Sequence, residues 1–303
     1  MFDVITIGAA TADIFISSDS FQESRRSLSL KRSSKNEINR SLICSGGGAT
    51  NAATTFSRLG LKTAVVAQVG RDPLADYVFT DLKKEKISAD FVKKNSDEHT
   101  DFSVIFVASD GSRSIMTQRG DSRLESRDLP WAKLKKSRSL YITSLEGNLP
   151  LLEELIGFAK ENNMLIAFNP GSRELKQRRQ LIPLLKYLDF LLLNRHEAQM
   201  LTDLSHRDSN FLPKLRQYSP LVAVTNGHLG ARILTAKDSL FSPIINVTPV
   251  DETGAGDSFG SAFFAALLHQ QSLSEALSWA IKNSASVVSA LGAKTGILTR
   301  SQL

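Results

Sequence analysis

Short, almost unbroken apolar runs recur along this chain, separated by stretches with helical spacing. "DVITIG" (3–8), "KTAVVAQVG" (62–70), "MLIAFNP", "YLDFLLLN" and "LVAVTNG" are β-branched or aliphatic runs closed by Gly, Pro or Asn. Such runs read as strands. "GGGATNAATTFSRLG" (46–60) is a glycine turn leading into a helix, with Ala52, Ala53, Phe56 and Leu59 on one face and Gly60 placed to cap the end. "DPLADYVFTDLKKEKI" begins with Asp72 as N-cap and Pro73 at the first helical position. "ELKQRRQLIPLLK" and "RHEAQMLTDL" have helical patterns, and the last fifty residues hold two more helices. Strands apolar on both faces and alternating with helices predict a mostly parallel sheet covered on both sides.

Two stretches break the alternation. Residues from about 14 to 44 are polar, serine-rich and charged, and residues from about 99 to 120, "HTDFSVIFVASDGSRSIMTQRG", have the pattern of a hairpin turning at "SDGS". Both are poor in helix signal and read as excursions from the main sheet that form a small second layer. With no internal repeat and no long Pro/Gly linker, the chain 1–303 is expected to be one domain carrying a small lid.

Composition narrows this picture. At 303 residues and 42% hydrophobic content, a sizeable core is within reach. A single cysteine, Cys44, rules out an intrachain disulfide and fits a reducing compartment. The start, "MFDVITIGAATADIF", has no basic leader, and no apolar run reaches membrane-spanning length, so a cytoplasmic protein without membrane contact is expected. The formal net charge is +6. Lys and Arg are spread along the chain, with modest clusters at 25–35 and 133–138 that contain no aromatic residues. An ordinary basic surface is therefore favoured over a nucleic-acid partner.

Candidate chemistry collects where the runs end, as the crevice rule for open α/β sheets requires. Asp13 stands just past the first run. Asn194 and Glu197 follow "FLLL", and Thr225 and Gly227 follow "LVAV". Near the C-terminus, "VTPVDETGAGDSFGSAFFAALL" sets Gly254, Ala255 and Gly256 directly before Asp257 at the head of an apolar helix. Free N–H groups and the helix dipole favour an anion there, and small residues let it approach. Asp257 beside it can take a proton from an attacking hydroxyl. The same residues also describe a plain glycine turn with an acid favourably placed on the dipole. The glycines of "GAGDSFG" are spaced one residue too far for a dinucleotide fingerprint, and no Walker-type loop is present. "GGGATNAA" is the second motif: consecutive glycines suggest close backbone approach, and Asn51 both donates and accepts hydrogen bonds, which suits a polyol.

"GGGATN" and "DETGAGD", in this order, resemble the two signatures of the ribokinase (PfkB) family of carbohydrate kinases. "NRHE" at 194–197 resembles the family's N-x-x-E motif, and "TNG" at 225–227 its Thr-x-Gly. The resemblance spans essentially the whole chain. It implies a three-layer α/β/α sandwich with a mostly parallel central sheet and a small β lid. It also implies ATP-dependent phosphorylation of a hydroxymethyl group of a sugar, as in ribokinases and fructokinases. The alternatives are an adenosine or nucleoside kinase of the same family and a catalytically silent sugar- or nucleotide-binding homologue.

Residue by residue, Asp257 matches the catalytic base and Gly254, Ala255 and Gly256 the anion hole. Asp13, Gly46, Gly47 and Asn51 match substrate contacts. Glu197, with Asn194, matches the residue that orders magnesium and phosphate. Thr225 and Gly227 match nucleotide contacts, and Asn283 resembles a residue beside the adenine. Asp251 and Thr253, with Gly292 and Gly296 in "GAKTG", resemble a monovalent-cation site. ATP and Mg2+ are the implied cofactors, with K+ at the monovalent-cation site where one is held, and a homodimer through the lid is an expected partner arrangement. Glu146 in "SLEG" and Arg119 in "QRGDS" stand where they reach a substrate or remain surface charges.

Overall fold

The computed structural model describes residues 1–303 apart from Arg25, Arg26, Ser96, Gly111, Asp121 and Ser122. Part of one basic cluster, the third residue of the "SDGS" turn and the end of "QRGDS" therefore lie outside the described residues.

The main sheet has nine strands, ordered Ser239–Ser242, Ala231–Leu234, Val222–Thr225, Phe190–Asn194, Leu165–Phe168, Ser139–Ile142, Val4–Ile7, Thr63–Val69 and Ser88–Lys94. All neighbours are parallel except the two pairings that involve Ala231–Leu234. Alternation along each strand divides the core into two layers. Ile5, Ile7, Leu140, Ile142, Leu191 and Leu193 face one side, where they join Leu152 and Leu155 of the helix Leu149–Glu161. Val4, Tyr141, Phe190 and Leu192 face the other, against Phe56 of Gly48–Arg58 and Phe259, Phe263 and Phe264 of Ala255–Leu268. Each such fully buried side chain contributes about 1.5–3 kcal/mol. The helix Ala255–Leu268 is apolar on nearly every face because it is packed on all sides. At Gly260 a Cβ would fall 2.5 Å from Tyr141 Oη.

The Tyr141 hydroxyl is buried and has no hydrogen-bond partner among the described residues. Its ring packs edge-on to Phe56 with centroids 5.2 Å apart. Tyr141→Phe keeps the ring and removes the orphaned hydroxyl. It is expected to stabilise the fold by about 1 kcal/mol, read from the midpoint of urea unfolding.

The predicted N-cap holds. Asp72 accepts from Ala75 N at 3.0 Å and also from Thr100 N at 2.7 Å, tying the helix Pro73–Lys84 to a distant loop. "ELKQRRQLIPLLK" forms two helices, Ser172–Lys176 and Arg178–Leu185, rather than one. The break falls at Gln177, whose amide is drawn to Gly147 O at 2.9 Å.

The second layer is a four-stranded sheet ordered Arg40–Gly46, Thr11–Ser17, Phe102–Val107 and Arg113–Gln118, with Phe15, Ile105 and Val107 buried on one face. The expected hairpin is the antiparallel pair Phe102–Val107 and Arg113–Gln118. The excursion starts at Thr11, earlier than expected, so Asp13 belongs to this small sheet rather than to the end of the first main strand. A short ribbon, Gln22–Ser24 with Ser27–Ser29, projects from it.

Candidate active site

Two glycine-rich turns build the site from opposite ends of the chain. In the first, the strand Arg40–Gly46 runs directly into the helix Gly48–Arg58. Asp13 lies beside it on the neighbouring strand, buried, with Thr11 Oγ1 donating to Oδ1 at 2.9 Å. Gly46 is glycine because of Asp13: a Cβ there would fall 1.8 Å from Oδ2. Gly47 has φ +88°, and a Cβ would meet Ala9 O at 2.4 Å, so it is required twice over. In the second turn, Gly254 has φ +79° and packs on Ala293, while Ala255 opens the helix Ala255–Leu268. A Cβ at Gly256, by contrast, would meet nothing within 4 Å. Nothing in the protein forbids a side chain there, and the open space is cleft.

The turns meet at one contact: Asn51 Nδ2 donates to Asp257 Oδ2 at 2.8 Å. The other end of the amide, Asn51 Oδ1, is buried and has no partner among the described residues. A buried acceptor left open beside a carboxylate is suited to a donor from a bound molecule, such as a hydroxyl. Burial pushes the Asp257 carboxyl up from its ordinary range, against the Asn51 hydrogen bond and the charge of Lys294. Burial also raises Asp13, against Thr11 and Lys294.

From Asp257 the cleft continues as two cavities of about 210 and 550 Å3. Both are lined by Arg113, Asn194, Thr225, Glu252, Ala255 and Gly256. Glu197 and Asp257 line the smaller one, and Gly227 the larger. Glu197 and Asn194 also form a reciprocal cap on the helix Arg195–Thr202, with Asn194 N donating to Glu197 Oε2 at 2.8 Å and Glu197 N to Asn194 Oδ1 at 2.9 Å. Burial raises the Glu197 carboxyl, with the Asn194 N–H opposing. The larger cavity is walled by Ile244, Ile245, Val247, Ile281 and Val288, an apolar slot suited to a flat ring.

Asn283 does not join this slot. It is fully buried, its Nδ2 donates to Ser258 O at 2.9 Å and its Oδ1 accepts from Leu298 N at 2.9 Å, so its amide ties two segments together; Ser284 and Ala285 line the cavity instead. The cation-site side chains are likewise committed. Asp251 Oδ1 accepts from Thr253 N and Oγ1 at 2.9 and 2.7 Å, and Oδ2 accepts from Gly292 N at 2.9 Å. Asp251 thus stitches the loop 251–253 to the loop 292–296. Gly296 packs its α-carbon against the Ser286 carbonyl, where a Cβ would come within 2.1 Å. Among the described residues no group of three or more His, Cys, Asp or Glu could hold a metal. Glu146 and Arg119 pair with each other, and Arg173 reaches the second Glu146 oxygen at 3.0 Å.

Arg113 was not legible as a site residue in the sequence. It enters from the small sheet, meets Glu252 at 3.2 Å and leaves its buried Nε without a partner among the described residues. Lys294 is an ordinary charged residue within "GAKTG", yet its side chain is buried behind the two turns. The one available signal was a charged residue inside each of two otherwise small or polar stretches.

Residues 1–300 match the pfkB family of carbohydrate kinases. The chain belongs to that family, and it is a phosphotransferase. It is 26% identical over 262 residues to the ribokinase of Bacillus subtilis, covering 85% of this chain and 86% of that one. It is 27% identical over 298 residues to a nucleoside kinase of Methanothermobacter thermautotrophicus, covering 97% and 92%. The fold matches that of Arabidopsis thaliana ribokinase, solved in complex with ribose and ATP, with a TM-score of 0.80, 20% identity and 99% and 96% coverage. No helix among the described residues is long and apolar enough to cross a membrane.

Proposed function

We propose that this protein is an ATP-dependent kinase that phosphorylates a hydroxymethyl group of a sugar. The observation that carries the reading is the contact between Asn51 and Asp257, which joins an acceptor site around Asp13 to the open helix N-terminus at Gly254–Gly256. Asp13 and the free Asn51 Oδ1 accept hydrogen bonds from sugar hydroxyls. Asp257 accepts the proton of the attacking hydroxyl as its oxygen bonds to the γ-phosphorus and the bond to the β-phosphate oxygen breaks, releasing ADP. The N–H groups of the helix start stabilise the charge in transit, and Arg113 adds a cation from the small sheet. The apolar slot takes the adenine, with Thr225 and Gly227 at its edge. Glu197 lies where a magnesium ion arriving with the nucleotide would neutralise phosphate charge. A monovalent cation beside the loops 251–253 and 292–296 and a homodimer through the outer face of the small sheet, where Met116 is exposed, complete the reading.

The test is ADP release with magnesium, in potassium and in choline buffer, across sugars, sugar phosphates, sugar acids and nucleosides. One sugar turned over at its CH2OH is the expected result. Turnover confined to nucleosides moves the assignment to nucleoside kinase, and ATP binding without turnover of any acceptor overturns it.

A further inference from the structure

The loop 292–296 touches both halves of the site in different ways. Its backbone supports the anion side, where Gly254 packs against Ala293 and Gly292 N holds Asp251. Its one charged side chain runs to the acceptor side. Lys294 Nζ donates to Ser45 Oγ in a very short contact and to Thr50 Oγ1 at 2.8 Å. The Thr50 hydroxyl donates onward to Gly46 O at 2.6 Å, and Ser45 N donates to Asp81 Oδ2 at 2.7 Å. Ser45 and Thr50 lie at the two ends of the Gly46–Gly48 turn, which is packed on Asp13 and followed at once by Asn51. The lysine is 7% exposed, and no carboxylate forms an ion pair with it among the described residues. A buried ammonium held by hydroxyls alone is costly. Such a group is retained where its charge serves something nearby.

We propose that Lys294 is a positioning residue for phosphoryl transfer: its buried ammonium clamps the glycine turn of the acceptor site and is the internal counter-charge of Asp13 and Asp257. This rests on the kinase reading for its consequence, but its geometry does not. The charged and titratable groups around the ammonium are few. Asp13 comes from the small sheet with Cys44, Asp81 and Glu85 from and just beyond the helix Pro73–Lys84, and Asp257 from the head of its own helix. Burial lowers the Lys294 ammonium from its ordinary range, and Asp81, Asp13 and Glu85 oppose that. Arg58 is occupied by Glu85 at 2.7 Å and by the carbonyls of Lys294 and Ile297. Cys44 is no counter-charge, because burial pushes its thiol up to about 12. Burial weakens the charged form of both site acids, and Lys294 opposes that for each. Lys294 thereby favours the ionised form of the base against its burial, alongside the Asn51 hydrogen bond.

Lys294→Met removes the charge at nearly constant volume, and Lys294→Gln keeps a donor without charge. The side-chain carboxyl carbons of the ligand-free protein are followed by NMR against pH, with Asp13→Asn and Asp257→Asn identifying the two signals. In both Lys294 variants the two carboxyls are expected to titrate about one pH unit higher than in the wild type. The acid limb of kcat/KM moves up with them, costing about tenfold at its foot and recovering at alkaline pH. A purely structural strut would lower the thermal midpoint and leave both titrations in place, and that result in either folded variant overturns the proposal. The NMR result stands whether or not an acceptor is found. Absence of turnover by the wild type would count against the kinase reading alone.

Discussion

Asp257→Asn is expected to lower kcat by about 10²–10⁴-fold, the range for loss of a positioned general base, while the dissociation constant for ATP changes little. The amide has the same shape and can still offer an oxygen to Asn51 Nδ2, so the contact between the turns survives. What disappears is the proton acceptor. Steady-state kinetics beside calorimetric ATP binding separates the two effects, and equal losses in both would remove Asp257 from the role of base. Stability should respond in the opposite direction. Because burial raises the Asp257 carboxyl in the folded protein, the folded state is penalised when pH lies above that raised value. The asparagine variant escapes the penalty. It is expected to be the more stable protein at neutral pH, with the gain fading as pH falls below the ordinary carboxylate range, where the acid is neutral in both folded and unfolded states. Urea unfolding at pH 7 and pH 3 checks the sign.

Gly256→Ala carries the second large effect, and again stability and activity should diverge. Gly256 lies in the first turn of a helix, and a Cβ there meets no protein atom within 4 Å. On propensity alone alanine should stabilise the helix by up to about 1 kcal/mol. If the phosphoryl group is seated on this turn, the methyl occupies its place, and kcat/KM should fall by about 10²-fold or more, comparable to loss of one oxyanion donor. A variant that melts higher and turns over normally would show that the phosphate lies elsewhere. Gly254→Ala cannot make this distinction, because its φ of +79° and its contact with Ala293 would damage the fold as well as the site.

The central strands were legible because both their faces are buried. Val4–Ile7, Thr63–Val69 and most of Phe190–Asn194 contain little but apolar residues, and their alternation with helices carries the sheet with it. The edge strands were not legible. Ser88–Lys94 and Ser239–Ser242 are half exposed and mixed in character, so neither a continuous run nor a clean alternation marks them. The antiparallel return at Ala231–Leu234 depends on the turn 227–230, which no periodicity reveals. In the site, residues grouped in one turn could be read together, since Gly254 to Asp257 act as a local unit. Contacts across the chain could not. Asn51 meets Asp257 across 206 positions and Lys294 meets Ser45 across 249, and nothing local in either stretch names its partner. Asn283 shows the converse. A polar residue in a helix near the cleft has the composition of a ligand contact, and only the carbonyl of Ser258 and the N–H of Leu298 reveal that its amide is already used.

The small sheet is rooted at one end and reaches over the cleft at the other. Thr11, Gly46, Phe102 and Gln118 lie at the root, and Ser17, Arg40, Val107 and Arg113 at the tip. At the root the chain passes through Gly8–Ala10 and Gly47, which pack against each other so closely that Gly47 has no room for a side chain. Asp13 is two residues from that root. A swing of the sheet about this root would work as a lever: at about 3.3 Å per residue, about ten degrees would carry Asp13 by about 1 Å and the Arg113 end by about 3 Å. On the proposed reading, the acceptor contacts would barely move while Arg113 travels. The kinetic order of addition follows from this asymmetry. On the proposed reading, an acceptor could take its place with the sheet raised, whereas the nucleotide's environment would be completed only when it comes down, so product inhibition should show the acceptor entering first and its phosphate ester leaving last.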